Sequence, residues 1–285
     1  MKQVLRLTFL LALLLIAGAT VIQAQGPGQF SVECDDGSSF SNGVEFRIIQ
    51  MRSGYEYTAT AVGLNGFDPV MAILNEDGEG LCNDDDSGAT RYAADLPTTG
   101  VVPASRLSSQ INFTPHSDTG FQDISLVVGG YGDQAGEFVL ILEGMAVSAA
   151  DNAGDPLLVT LNQSMIDSGA SLDVYMITRG QSNVDPLISM VDNDFNVLAD
   201  DTGAPISCDD AGNASLCWTP GVDLSNSSVT INTGTLPGWQ YDSYLSFDIS
   251  GVTLSKDPDE NWFQFLLSSY PGSVGDYLLV VHAGL

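Results

Sequence analysis

Phe67-Asp68-Pro69-Val70-Met71-Ala72-Ile73-Leu74-Asn75-Glu76-Asp77 returns 117 positions on as Val184-Asp185-Pro186-Leu187-Ile188-Ser189-Met190-Val191-Asp192-Asn193-Asp194. Each copy holds an Asp-Pro pair, an apolar run and a second acidic cluster, in step. A short apolar run between turn-forming residues reads as a buried β-strand, and its flanking Asp, Asn and Pro read as turns. A second echo runs from Leu126 through Gly129-Gly130-Tyr131 to Ile141 and recurs from Phe265 through Ser268-Ser269-Tyr270 to Val280, at an offset of 139. The chain is therefore a tandem of one module, and the second copy carries 22 extra residues between its Asp-rich loop and its final hairpin.

Alternation at period two marks further strands. Val44, Phe46 and Ile48 alternate with Glu45 and Arg47, and Tyr55, Tyr57, Ala59 and Ala61 with Glu56, Thr58 and Thr60. Phe138, Leu140 and Leu142 stand against Glu137 and Glu143, Leu245, Phe247 and Ile249 against Ser246 and Asp248, and Tyr277, Leu279 and Val281 against Asp276 and His282. Each reads as a strand with one face in the core and one in water. Helical periodicity is nearly absent. The expected fold is all-β: two tandem antiparallel β-sandwich domains, jelly-roll-like, after a signal peptide.

The expected boundaries are 1–24 for the signal peptide, 25–146 for the first module and 147–285 for the second, with a loop insertion near 211–243. Lys2 and Arg6 precede an apolar run from Leu7 to Ala17, and Ala24 suits cleavage, which is the layout of a secretory signal. That run is shorter than the roughly 20 residues a spanning helix needs, and no later stretch is long and apolar enough to cross a bilayer. The expected location is secreted or at the cell surface.

Only 8 Lys and Arg stand against 36 Asp and Glu, for a net charge of −28. A surface that acidic repels nucleic acid and anionic lipid, so neither is expected as a partner. Of the acids, 28 are Asp and 8 are Glu. Asp favours turns and supplies short, hard oxygen ligands, so the bias points to loops rather than helical faces. Adaptation to a salty habitat is the competing reason for such acidity.

Four cysteines, Cys34, Cys82, Cys208 and Cys217, in a secreted chain point to two disulfides, with three connectivities allowed. One per module is favoured: Cys208 and Cys217 bracket a short loop, and Cys34 would tie the start of the first module to Cys82. A zinc site would need paired C-x-x-C or more histidines than His116 and His282.

The order Asp-Pro, apolar strand, acidic turn, Asn/Asp-Asp cluster and Gly-punctuated hairpin resembles the bacterial pre-peptidase C-terminal domain. That is a secreted β-sandwich related to the collagen-binding modules of clostridial collagenases. The matching residues are Asp68-Pro69, Asn75-Glu76-Asp77-Gly78 and Asn83-Asp84-Asp85 in the first module. In the second they are Asp185-Pro186, Asp192-Asn193-Asp194 and Asp200-Asp201, with Phe195 where the family turns on glycine. The resemblance implies a module that rides beside a secreted peptidase; no peptidase is recognisable in this chain.

Three constellations are candidates for chemistry. The acidic loops suit calcium, which takes six to eight oxygens. The candidate ligands are Asp68, Asn75, Asp77, Asp84 and Asp85 in the first module, and Asp185, Asp192, Asp194, Asp200 and Asp201, with Asp209 and Asp210, in the second. An EF-hand is excluded, because a loop begun at Asn83 puts Ala94 where the closing Glu belongs. The competing reading is a set of solvated turn residues that cap their own backbone. Trp218, Trp239, Tyr241 and Tyr244, in the polar insertion, are candidates for contact with sugar rings or extended peptide; the competing reading is core packing. Catalysis has no supporting motif, and both histidines read as surface residues. The expected function is a non-enzymatic binding protein with calcium-ordered loops, recognising an extracellular protein or polysaccharide. The alternative is a structural spacer of the envelope or matrix, and an uncharacterised hydrolase ranks third.

Overall fold

The computed structural model describes residues 19–21, 29–75, 77–148, 154–179, 182–218, 222–257 and 260–285. The expected signal peptide lies outside them except for Ala19–Val21, and so does Glu76 of the first repeat. The first half contributes β1 (Ala19–Val21), β2 (Phe30–Glu33), β3 (Ser39–Arg52), β4 (Tyr57–Gly63), β5 (Pro69–Leu74) and β6 (Glu79–Asn83). It continues with β7 (Ala93–Leu96), β8 (Gly100–Val102), β9 (Ser109–Phe113), β10 (Phe121–Gly130) and β11 (Glu137–Val147). The second half contributes β12 (Asp155–Thr160), α1 (Gln163–Ser168), β13 (Ser171–Thr178), β14 (Pro186–Met190) and β15 (Ser207–Cys208). It ends with β16 (Ser228–Ile231), β17 (Gly234–Pro237), β18 (Ser243–Asp248), β19 (Trp262–Ser269) and β20 (Gly275–Gly284). The fold is an all-β antiparallel sandwich.

One sheet runs β10-β5-β6-β1-β2-β3-β12-β19-β14-β15, and β10 also pairs with β3, so its first six strands close into a ring. Phe40, Val70, Ala72, Leu74 and Val127 fill that ring as a small separate core. A second sheet runs β18-β13-β20-β11-β4-β9, and a third runs β17-β16-β7-β8. The third lies against the second: the Tyr92 hydroxyl donates to Glu143 of β11, and Thr98 bonds the Tyr175 hydroxyl of β13 at 2.8 Å.

Each sheet crosses from one half to the other through a strand and its own repeat. β3 pairs with β12, β11 with β20 and β7 with β16, all antiparallel. Ile141 faces Val280, which is the same position of the repeat at its offset of 139. A strand paired antiparallel with its own copy implies a two-fold axis through that point. The main core accordingly draws on both halves, from Val44 and Phe46 to Phe265 and Val281.

This seam corrects one expectation. Phe138 to Leu142 and Tyr277 to Ala283 are buried at every position, not at alternate ones, because the third sheet covers the face that alternation would leave in water. The surface reading of His282 falls with it: the residue is 3% exposed. Its Nδ1 lies 2.8 Å from Asp173 Oδ2 and its Nε2 3.2 Å from Glu137 Oε2, so it joins β20 to both neighbouring strands. Part of the span read as an insertion is hairpin β16–β17, whose counterpart in the first half is β7–β8.

Candidate functional site

β5 and β14 begin at the two Asp-Pro pairs. Proline fixes φ and lacks an N–H, which suits the first position of a strand. Asp68 and Asp185 are thereby set just ahead of their strands. The Asp68 carbonyl accepts from Tyr131 N at 2.9 Å, and its N–H donates to Gln134 Oε1. The Asp185 carbonyl accepts from Tyr270 N at 2.8 Å, and its N–H donates to Ser273 Oγ. Ser109 and Ser243, both fully buried, donate to the carbonyls of Pro69 and Pro186.

A disulfide delivers the remaining carboxylates in each half. Cys34 and Cys82 are bridged, with Cα atoms 5.6 Å apart, and Asn83-Asp84-Asp85 follows directly. Cys208 and Cys217 are bridged, with Cα atoms 4.0 Å apart, and Asp209-Asp210 follows Cys208. One bridge per half is the expected pairing. Carboxylate oxygens of Asp68, Asp84 and Asp85 lie within 4.8 Å of one another, as do those of Asp185, Asp209 and Asp210.

These groups are crowded, and all but exposed Asp85 are partly buried. Oδ1 of Asp68, Asp84, Asp185 and Asp209 is buried and accepts no hydrogen bond. Burial, then the charges of Asp68, Asp85 and Asp36, pushes the Asp84 carboxyl up to about 6. Burial, then Asp185 and Asp210, pushes Asp209 up to about 6. Asp68 is raised by burial and Asp85, and Asp185 by burial and Asp210. Two like charges about 4 Å apart repel by about 1 kcal/mol in water and about 4 kcal/mol near a protein surface. A dication bound there would remove that repulsion and pair the four buried oxygens.

Not every expected ligand reaches these clusters. Asn75 and Asp77 lie past the far end of β5, whose six residues span about 20 Å. The Asn75 side chain instead accepts from Asp77 N at 3.0 Å, closing the β5–β6 turn. Asp192 accepts from the backbone of Asp194 and Asn196, and Asp200 from the backbone of Thr202 and Ala204. Hydrogen bonds, first from Thr202 and then Trp218, hold the Asp200 carboxyl down at about 2. Asp194 sits in the turn that Asp192 closes, and Asp201 in the turn that Asp200 closes. Aligning each Asp pair on its preceding cysteine, Cys82 or Cys208, rather than on its distance from Asp-Pro, identifies the members that converge.

The aromatic candidates divide in two. Trp218 is partly buried, stacks on Phe247 at 5.4 Å and donates from Nε1 to Asp200 Oδ2 at 2.9 Å. Tyr244 is buried and stacks on Tyr175 at 4.6 Å. Trp239 is 47% exposed and meets Tyr241 edge-to-face at 4.4 Å. Their loop is tied to the second acidic cluster, since Ala211 N donates to Asp242 O and Gly212 N to Gln240 O. Asp242, fully buried, accepts from Trp239 N at 2.7 Å and Thr178 N at 2.8 Å.

Among the described residues, no helix is long and apolar enough to cross a membrane, which says nothing about crossing by strands. No protein-family model matches the chain, and no curated protein matches it. Among solved structures, a crystal structure with xylogluco-oligosaccharide is similar at 12% identity, over 90% of this chain and 62% of that one, with a TM-score of 0.22. This chain spans less than two thirds of that protein, and a likeness so slight carries no argument about fold or function.

Proposed function

We propose that the chain is a secreted, non-enzymatic binding protein whose two acidic loop clusters are ordered by calcium and which recognises an extracellular polysaccharide. The observation that carries the reading is the repetition of the carboxylate triad, Asp68/Asp84/Asp85 and Asp185/Asp209/Asp210, with two buried, partnerless oxygens in each copy. An all-oxygen set of carboxylate ligands with no octahedral arrangement imposed suits calcium better than magnesium, which demands a near-ideal octahedron. Two disulfides support folding in an oxidising compartment. The pattern that resembles the pre-peptidase C-terminal domain supports the same class of secreted accessory module.

The ligand contact is assigned to exposed Trp239 and half-buried Tyr241, a pair beside the second cluster. Aromatic rings give large contact area to sugar faces at small entropic cost. Tyr131 and Tyr270, at 52% and 56% exposure, add one exposed ring beside each cluster. His282 is closed off between two carboxylates, which leaves its ring no access to a substrate. The test is retention of the protein on a panel of insoluble polysaccharides and on matrix proteins, in calcium and in chelator. The reading predicts calcium-dependent retention on a polysaccharide that Trp239→Ala abolishes. Retention on none of them would leave a spacer as the better description, and retention on matrix protein alone would move the ligand to that class.

A further inference from the structure

A pocket at one end of the seam stands apart from both the acidic clusters and Trp239. Two irregularities open it. β3 slips against β10 between Gln122 and Ile124, where Gln50 takes φ 64°, and β11 slips against β20 between Leu142 and Met145, where Gly144 takes φ 97°. A Cβ on Gly144 would run into the Tyr57 ring and the Glu56 carbonyl, so glycine is what lets the chain pass this close. Such bulges re-aim side chains at the rims of sheets. The space between them measures about 150 Å³.

Its walls are mixed in character. Met51 and Met145 line it with apolar surface, while Gln50, Arg52, Asp155 and Asp276 supply polar groups. Tyr55, 57% exposed, also lines it, with the Arg52 guanidinium 5.9 Å from its ring centre. Two of the polar groups are held by the protein: Arg52 Nη2 donates to Ala146 O at 3.5 Å, and the Tyr277 hydroxyl donates to Asp155 Oδ2 at 3.4 Å. Groups fixed before binding lose little freedom when a ligand arrives.

Size and charge narrow the ligand. At about 30 Å³ per water the pocket holds the equivalent of about five waters, the space of one small ring with its substituents. An anion would face Asp155 and Asp276, while donors and acceptors stand together in this small space: Arg52 and Gln50 can donate, and Asp155, Asp276 and Gln50 can accept. A neutral polyhydroxyl ring matches both: its hydroxyls donate to the carboxylates and accept from Arg52 and Gln50, and its C–H face lies on tyrosine and methionine. We propose that this pocket binds one neutral sugar residue, free or at the end of a glycan.

The test is titration of the intact protein with methyl glucoside, galactoside, mannoside and xyloside, following the backbone amide resonances of Gln50 to Arg52 and Gly144 to Ala146. At least one glycoside should shift these resonances saturably. Tyr55→Ala should abolish the effect, Tyr55→Phe should retain it, and Asp276→Asn should weaken it at least tenfold. Tyr55 is half in water, so its loss leaves the core intact. Chelator and Trp239→Ala should change nothing, which separates this site from the calcium loops and the aromatic face. No shift with any glycoside, an unchanged response in Tyr55→Ala, or a stronger response to zwitterionic alanine would overturn the proposal.

Discussion

Replacing Asp84 with asparagine should stabilise the metal-free protein at neutral pH. The Asp84 carboxyl is pushed up to about 6 from 3.8, by burial first and by Asp68, Asp85 and Asp36 after it. A carboxyl whose folded pKa exceeds its unfolded pKa favours the native state in its protonated form. Its contribution is fully present below the unfolded value and is lost as pH rises through about 6. A gap of about two pH units corresponds to about 3 kcal/mol, which partial contact with water reduces to about 1 to 2 kcal/mol. Asparagine keeps the shape and removes the charge. Urea unfolding in chelator at about pH 7.5 should therefore find Asp84→Asn more stable than wild type by about 1 to 2 kcal/mol. The difference should shrink through about pH 6 and vanish near pH 4. Calcium should then stabilise the variant less than wild type, through the Asp185/Asp209/Asp210 triad alone. If Asp84→Asn is less stable than wild type in chelator at neutral pH, or if the difference ignores pH, crowded unpaired charge is not what the loop contains.

Burial alone would lower the pKa of His282, but its hydrogen bond and charge interaction with Asp173, followed by those with Glu137, raise it above 6.5. Its stabilisation is complete below the unfolded value and is lost as pH rises through the folded one, so wild type should weaken on the alkaline side while His282→Gln shows no such slope in pH-dependent urea unfolding. Asp173→Asn should remove the same slope and cost about 3 kcal/mol, because it breaks a buried pair. Replacing Cys34 and Cys82 by serine should cost about 4 kcal/mol, against about 2.5 kcal/mol for Cys208 and Cys217, since the bridges span 48 and 9 residues; paired denaturant melts check the order. Phe195 holds φ 61° at 50% exposure, so Phe195→Gly should raise stability by about 1 kcal/mol in the same assay.

The repeat makes much of the fold legible in the sequence. Apolar runs caged between Asp-Pro and acidic turns become β5 and β14, and cysteines bracketing the loops pair as their spacing invites. What the pattern hides is anything that depends on which strands meet. Period two reports a strand with one wet face, and β11 and β20 have none, because the hairpins β7–β8 and β16–β17 fold over them. Nothing local to His282 announces that Asp173, more than a hundred residues earlier, will sit against it. The acidic candidates fail for a similar reason. Turn Asp and ligand Asp have the same composition, and only strand length separates Asn75 and Asp77 from Asp68. Phe195 is the reverse case: its place at a glycine position announces the left-handed backbone that it adopts.

Calorimetric titration with calcium tests the central claim most directly, at ionic strength matched with sodium chloride. The account predicts calcium-specific heat from two equivalent sites, one per triad. Asp84→Asn should remove one and Asp209→Asn the other, while Asp77→Asn, Asp192→Asn and Asp200→Asn should leave both, because Asp77 sits in the β5–β6 turn that Asn75 closes, and the Asp192 and Asp200 carboxylates close turns of their own. An absence of calcium-specific heat, or a titration lost in Asp200→Asn and kept in Asp209→Asn, would contradict it.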